Sequence, residues 1–356
     1  MSISRAVSKI LLSINQSADT NMGNSALKLV GGGGGGDRVG THHVSTTDSQ
    51  LLADGLRRYQ ASTDGQFPQD VARQDLLARI VADELLAQAA PGLSRLIEKA
   101  RDDLVDCIYV TNLPTEKSIT SLLSLTLSSA VGKVFNYSSQ HGDNLIMEVV
   151  SDRNSAETPQ AELDWHTEGA WLPRECRVEW ICLLGLDNTP GIYTAYAPIK
   201  PVEQTLSAAT RKWLYGESAC FREPLGFGLG VNGWSVPRAI LSRSPRGDIE
   251  IVWPHYAIRA ARSDDTVYDG ALMELSAEIS RHHLQASVDA GCLLAFNNFR
   301  GVHMHTPASD GYRLLYKTYA RQSLRKLQQM TGECGPTFAL TTAPRQRLLA
   351  HAATRH

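Results

Sequence analysis

The sequence predicts an α+β fold in which a helical N-terminal portion buttresses a β-sandwich or barrel. Two observations carry that expectation. Apolar residues recur at helical spacing from about residue 47 to 103, and short β-rich runs bounded by turn residues dominate from residue 133 onward. A third removes the main competitor, a parallel doubly wound sheet for nucleotides, because no G-x-G-x-x-G loop leads into a helix pattern. Gly226-Phe227-Gly228-Leu229-Gly230 lacks that spacing and reads as loop.

Residues 1–45 are rich in Ser, Asn and Gly and include consecutive glycines from Gly31 to Gly36, the composition of flexible coil. Arg5, Lys9 and the apolar Ile3, Val7, Ile10, Leu11 and Ile14 make a short basic amphipathic stretch. It fits a mobile extension or a docking strand better than an organelle transit peptide. Residues 46–104 carry the packing helices: Leu52 and Leu56, then Val71, Leu77, Val81 and Leu85, then a break at Pro91 and the run from Leu93. The core spans 105–325. It opens with a strand at 107–112 and a helix at 115–131, and continues with strands at 145–150, 178–186 and 192–199. A hairpin at 239–242 and 249–253 turns through Ser244-Pro245-Arg246-Gly247-Asp248. Helices are predicted at 202–215 and 270–290 and the last strands at 292–297 and 312–321; residues 326–356 read as a polar, Pro-containing tail.

Thirty-five Lys and Arg against 37 Asp and Glu leave a net charge of −2, so neither nucleic acid nor an anionic membrane is an expected partner. A small molecule held at a local site is. No window approaches the roughly 20 apolar residues of a membrane span. Six cysteines stand singly without a C-x-x-C pair, which suits a reducing cytoplasm. Nothing in the composition sets an oligomeric state.

The chemistry concentrates in Asp164-Trp165-His166-Thr167-Glu168-Gly169-Ala170-Trp171. In an extended strand alternate side chains share a face, so His166 and Glu168 project together as two metal-ligand candidates. A strand histidine beside an acid on a wet face is the plainer alternative. A third ligand is offered by His303 or His305, just beyond the apolar run 292–296. Two imidazoles and one carboxylate form a facial set that leaves positions open on Fe(II); zinc hydrolysis would need a separate general base, and none stands near the motif. Arg313, among aromatic and aliphatic strand residues, is costly to bury unless it meets an anion, either a bound carboxylate or a protein acid. Glu148 lies in an apolar strand run and is a candidate contact for a substrate amine, or else an edge-facing residue. Trp165 and Trp171 flank the ligands as candidate pocket walls or core.

His166-Thr167-Glu168 and Asn297-Asn298-Phe299-Arg300-Gly301-Val302-His303 resemble the H-T-E and D-N-x-R-x-x-H motifs of the clavaminate synthase-like branch of the Fe(II)- and 2-oxoglutarate-dependent dioxygenases, related to the taurine dioxygenase group. By that match His303, not His305, is the distal iron ligand. Arg313 matches the arginine that grips the remote carboxylate of 2-oxoglutarate, and Thr194 a threonine beside it. The resemblance covers about 107–321 and implies a double-stranded β-helix core of jelly-roll, cupin-like type, with Fe(II), 2-oxoglutarate and O2 as cofactor and cosubstrates. It further implies oxidation of an amino acid or amino-acid-derived intermediate in specialised metabolism, by hydroxylation, desaturation or ring closure. The chain departs from the family at Asn297, where Asp is usual, and at Lys317, where a second arginine binds the substrate carboxylate in amino-acid oxygenases. Asp264 and Asp265 are the candidate acids for a basic substrate side chain. A sulfonate or quaternary amine substrate, and a non-catalytic metal-binding protein of the same fold, are the alternatives.

Overall fold

The computed structural model describes residues 27–29, 38–63, 67–138, 144–152, 164–222, 234–235, 237–254, 258–305 and 311–339. The basic amphipathic stretch, the glycine run and the Gly226–Gly230 segment lie outside them. The elements in order are β1 (Leu27–Leu29), β2 (Val39–His43), α1 (Thr46–Ala61), α2 (Val71–Ala89), α3 (Pro91–Arg101), β3 (Cys107–Thr111), α4 (Thr120–Val131), β4 (Lys133–Tyr137) and β5 (Met147–Asp152). Then come β6 (Trp180–Asn188), β7 (Thr194–Pro198), α5 (Ile199–Thr205), α6 (Ala208–Tyr215), β8 (Ala219–Phe221), β9 (Leu241–Arg243), β10 (Ile249–Ile251) and β11 (Ile258–Ala260). The chain closes with α7 (Tyr268–Arg281), β12 (Leu284–Ala286), β13 (Leu293–Asn297), β14 (Gly301–His305), β15 (Tyr312–Arg321), α8 (Arg325–Thr331) and β16 (Thr337–Phe338).

Local chemistry sets the helix starts. Ser45 caps α1 by accepting from Asp48 N, Asp70 caps α2 by accepting from Arg73 N, and Pro91 sits in the first turn of α3, where its missing N–H costs nothing. The buried faces of α1–α3, including Leu52, Leu56, Val81, Leu93 and Ile97, pack on the large sheet β16-β4-β15-β6-β13-β3-β2, with β5 added on β15. Along β13, Leu293 and Ala295 face these helices while Leu294 and Phe296 face inward; Trp180, Cys182 and Leu184 of β6 point out while Ile181 and Leu183 point in. Both faces of this sheet are therefore apolar, which explains the unbroken hydrophobic runs in its sequence. The inner face meets the small sheet β1-β12-β7-β14 through Tyr109, Phe135, Leu315 and Tyr319 on one side and Tyr196, Leu284 and Ala286 on the other. Val202, Leu214, Leu275 and Ile279 of α5–α7 cover the small sheet's outer face at Ala195, Ala197 and Val302. The result is an α+β jelly roll with helices on both sides.

The structure differs from the sequence expectations in informative places. The helix predicted at 270–290 ends at Arg281, because Leu284 and Ala286 alternate as strand residues of β12 and pair with β7. The helix predicted at 202–215 is two helices, interrupted where Ser207 caps α6 by accepting from Thr210 N. Within residues 1–45, where either a mobile extension or a docking strand is expected, β2 runs parallel to β3 and β1 pairs with β12; within the stretch read as a tail, α8 and β16 dock on the core through Leu327, Met330 and Phe338. No helix among the described residues is long and apolar enough to cross a membrane, and all six cysteines are free.

Buried charges surround the turn that leads into β14. Arg300, 7% exposed, reaches Asp106 at 3.1 Å and both Asp103 and Asp248 at 3.0 Å. Arg38 donates to Asp106 at 2.9 Å and to Asp248 at 3.4 Å, and Arg246 holds Asp103 at 2.6 Å.

Candidate active site

Two histidines meet across the gap between segments that are far apart in the chain. His166 and His303 exchange backbone hydrogen bonds of 3.0 Å in each direction, as a directly opposed antiparallel pair does, and their rings lie 4.2 Å apart. His303 is on β14, whose first residue, Gly301, is pressed onto the Tyr196 ring; a Cβ there would stand 2.4 Å from a ring carbon. His166 makes a lone bridge, and the chain turns straight after Glu168 through Gly169 at φ +66°, a conformation glycine adopts freely. Asn298 holds this turn. Its side-chain oxygen accepts from Glu168 N at 2.8 Å, and its amide donates to the carbonyls of Glu168 at 3.0 Å and Val178 at 2.9 Å. Asn297 Oδ1 caps the neighbouring turn by accepting from Phe299 N at 2.9 Å.

The outcome is a compact donor set. One ligand atom each of His166, Glu168 and His303 lies within 4.8 Å of the others, and no other such group of three occurs among the described residues. Glu168 Oε2 stands 3.8 Å from His166 Nε2 and 3.9 Å from His303 Nε2. Burial lowers the pKa of both imidazoles, and His303 is pushed well down by burial first and then by His166, Lys317 and His305. Burial alone would raise the Glu168 carboxyl, but Lys317, His166 and the Tyr319 hydroxyl outweigh it and hold the acid below its usual range. Two neutral imidazoles and one carboxylate are the protonation states that ligate a divalent ion. His305 shares His303's face of β14 opposite Thr194, and stands outside the donor set.

Arg313 is the second focus. It is 2% exposed and pairs with no carboxylate among the described residues. Nη1 donates to Thr194 Oγ1 at 3.3 Å, Nη2 to Ser151 Oγ at 3.4 Å, and Nε has no partner. Burial pulls its pKa down to about 10. A buried guanidinium with two weak hydroxyl contacts retains donors suited to a carboxylate. The structure thus brings Thr194 to Arg313 and Lys317 to Glu168, with Lys317 Nζ 3.7 Å from Oε1 and 5.2 Å from the centre of the Tyr319 ring. Trp171, half-buried in the turn after Glu168, packs against the inner cluster.

Other candidates fall elsewhere. Met147 is buried in the inner cluster and Val149 packs on it, so the pleat turns Glu148 to the outer surface beside Tyr316, its cross-strand partner. Glu148 is exposed and is not brought to the site. Glu148→Ala is expected to shift stability by less than about 0.5 kcal/mol and to leave the substrate KM unchanged; a raised KM in steady-state assays would return this acid to the site. Trp165 faces the outer cluster and the edge of His283. Asp264 pairs with Arg262 at the surface, and Asp265 accepts from the Trp213 indole at 2.6 Å. Sequence reasoning missed Ser151 and Tyr319, whose only signal is the period of two they share with Met147 and with Arg313.

Neither a family model nor a curated protein matches the sequence. Solved structures do match in fold. An asparagine oxygenase in complex with Fe(II), 2S,3S-3-hydroxyasparagine and succinate has a TM-score of 0.72 at 20% identity, over 84% of this chain and 99% of the other. The non-heme iron oxygenase OrfP in complex with Fe and alpha-ketoglutaric acid gives 0.69 at 18% identity over the same shares, and OrfP with Fe and L-Arg gives 0.67 at 18%. The sandwich of two sheets, its helical cover and the strands that carry His303 and Arg313 therefore belong to one architecture: this chain has the fold of the asparagine oxygenase and OrfP.

Proposed function

We propose that the chain is an Fe(II)- and 2-oxoglutarate-dependent oxygenase of the clavaminate synthase-like group, which oxidises an amino acid or amino-acid-derived intermediate in specialised metabolism. One observation carries this reading beyond the fold: the buried Arg313, which pairs with no carboxylate among the described residues, turns its guanidinium to Thr194 in the interior that gathers His166, Glu168 and His303. The donor set fits Fe(II), since two neutral imidazoles and a carboxylate leave positions for a cosubstrate and oxygen. The guanidinium, with Thr194 and Ser151 beside it, fits the remote carboxylate of 2-oxoglutarate. When bound, iron with 2-oxoglutarate and O2 supplies the oxidising power for an unactivated C–H bond, with succinate and carbon dioxide released.

The chain's own residues do the rest. His166, Glu168 and His303 would hold the ion, Arg313 and Thr194 would orient the cosubstrate, and Lys317 supplies a point charge near the substrate space, without the bidentate fork of an arginine. Trp171 offers an apolar wall. The asparagine oxygenase and the L-Arg complex of OrfP, which share the fold, support an amino-acid substrate, and free cysteines fit a reducing cytoplasm. Anaerobic Fe(II) with 2-oxoglutarate is expected to give a visible charge-transfer band. Its absence would leave a non-catalytic metal-binding protein, and succinate release across a panel of amino acids, sulfonates and quaternary amines separates the substrate classes.

A further inference from the structure

We propose that Tyr319 positions the metal ligand: its hydroxyl occupies Oε1 of Glu168 and leaves Oε2 as the carboxylate oxygen offered to the ion, an inference that rests on the iron reading above. The two oxygens of Glu168 keep different company. Oε2 faces both imidazoles, at 3.8 and 3.9 Å, whereas Oε1 accepts a 2.6 Å hydrogen bond from Tyr319 Oη and lies 3.7 Å from Lys317 Nζ. A hydroxyl on a carboxylate oxygen at this length is a charge-assisted bond, among the stronger ones a protein makes.

Tyr319 has nowhere else to go. It is fully buried, its ring lies 6.2 Å from Phe135 and 6.4 Å from Tyr137, and its backbone is paired on both sides, with Phe135 of β4 and Ile181 of β6. Lys317, by contrast, is 21% exposed along its side chain and carries its charge on a flexible stem. The rigid partner therefore sets the carboxylate's orientation. That matters because a carboxylate binding through both oxygens would consume a coordination position that the facial set otherwise leaves open. The plainer role, in which Glu168 simply satisfies a buried phenol, predicts a different result.

Tyr319→Phe keeps the ring and its neighbours and removes only the hydroxyl. In the full chain, anaerobic Fe(II) titration should show affinity weakened about 10- to 100-fold, as loss of a ligand's orienting partner does. The visible band with 2-oxoglutarate should shift, and the separation between the carboxylate stretches in the infrared difference spectrum should narrow as the second oxygen reaches the metal. Lys317→Met should keep the wide separation. Wild-type affinity, band and stretches in Tyr319→Phe would assign Tyr319 to packing alone. The wild-type chain tests the idea independently: a narrow separation on iron binding overturns it, whereas failure to bind Fe(II) at all sinks the iron reading instead.

Discussion

Arg313→Ala should raise the 2-oxoglutarate requirement by about 30- to 4,000-fold, the equivalent of the roughly 2 to 5 kcal/mol lost when one partner of a desolvated charge pair is truncated. The guanidinium is 2% exposed, and its neighbours Thr194 and Ser151 are neutral. A carboxylate entering this space without the arginine would stand unpaired. Titrating the visible band with 2-oxoglutarate measures the change directly. Arg313→Lys should recover part of it, because a lysine restores charge without the planar fork. Unchanged cosubstrate affinity in Arg313→Ala would make this residue structural.

Loss of iron is the expected result of His303→Ala, and retention the result of His305→Ala. Both side chains lie on one face of β14, so strand geometry alone does not choose between them. The choice comes from the partner segment: His166 is bonded to His303 through both backbone hydrogen bonds, and Glu168 Oε2 lies 3.9 Å from His303 Nε2. Metal analysis after anaerobic loading gives the stoichiometry for each variant. Iron held by His303→Ala and lost by His305→Ala would reverse the assignment.

How much of this could be read in the sequence depended on whether a side chain's neighbours are local. His166 and Glu168 announce themselves because a single residue separates them, and His303 because its turn carries the sequence Asn298-Phe299-Arg300. Their grouping was legible, although the extended strand assumed for His166 and Glu168 is a single bridge followed by a turn. Glu148 shows the opposite case. It follows Leu145 and Ile146, which pack on one cluster, and stands between Met147 and Val149, which pack on another, and a run without alternation says nothing about which face an acid takes. Residues 284–288 failed for a related reason: Leu284, Ala286 and Val288 alternate, but they follow a real helix so closely that its period masks theirs. Tyr319 and Ser151 needed the register of β15 with β4, β5 and β6, which no single segment encodes.

The charge network around Arg300 bears on how the molecule can come apart. It joins the start of β2, the bend at Asp103 and Asp106, the β9–β10 hairpin and the turn before β14 into one set of pairs centred on the buried Arg300 and Asp106. Opening the turn before β14 would leave the Asp106 charge with only Arg38 beside it and part Arg300 from all three of its acids, which is strongly disfavoured for buried groups. The segment that presents His303 therefore shares the cooperativity of the core and is not among the parts that fray first. The opposing donors are coupled to it: Glu168 sits in a turn held through the side chain of Asn298, two residues before Arg300. The two halves of the donor set are thus tied to one another, because Asn298 belongs to the same turn as Arg300 and His166 is bonded to His303.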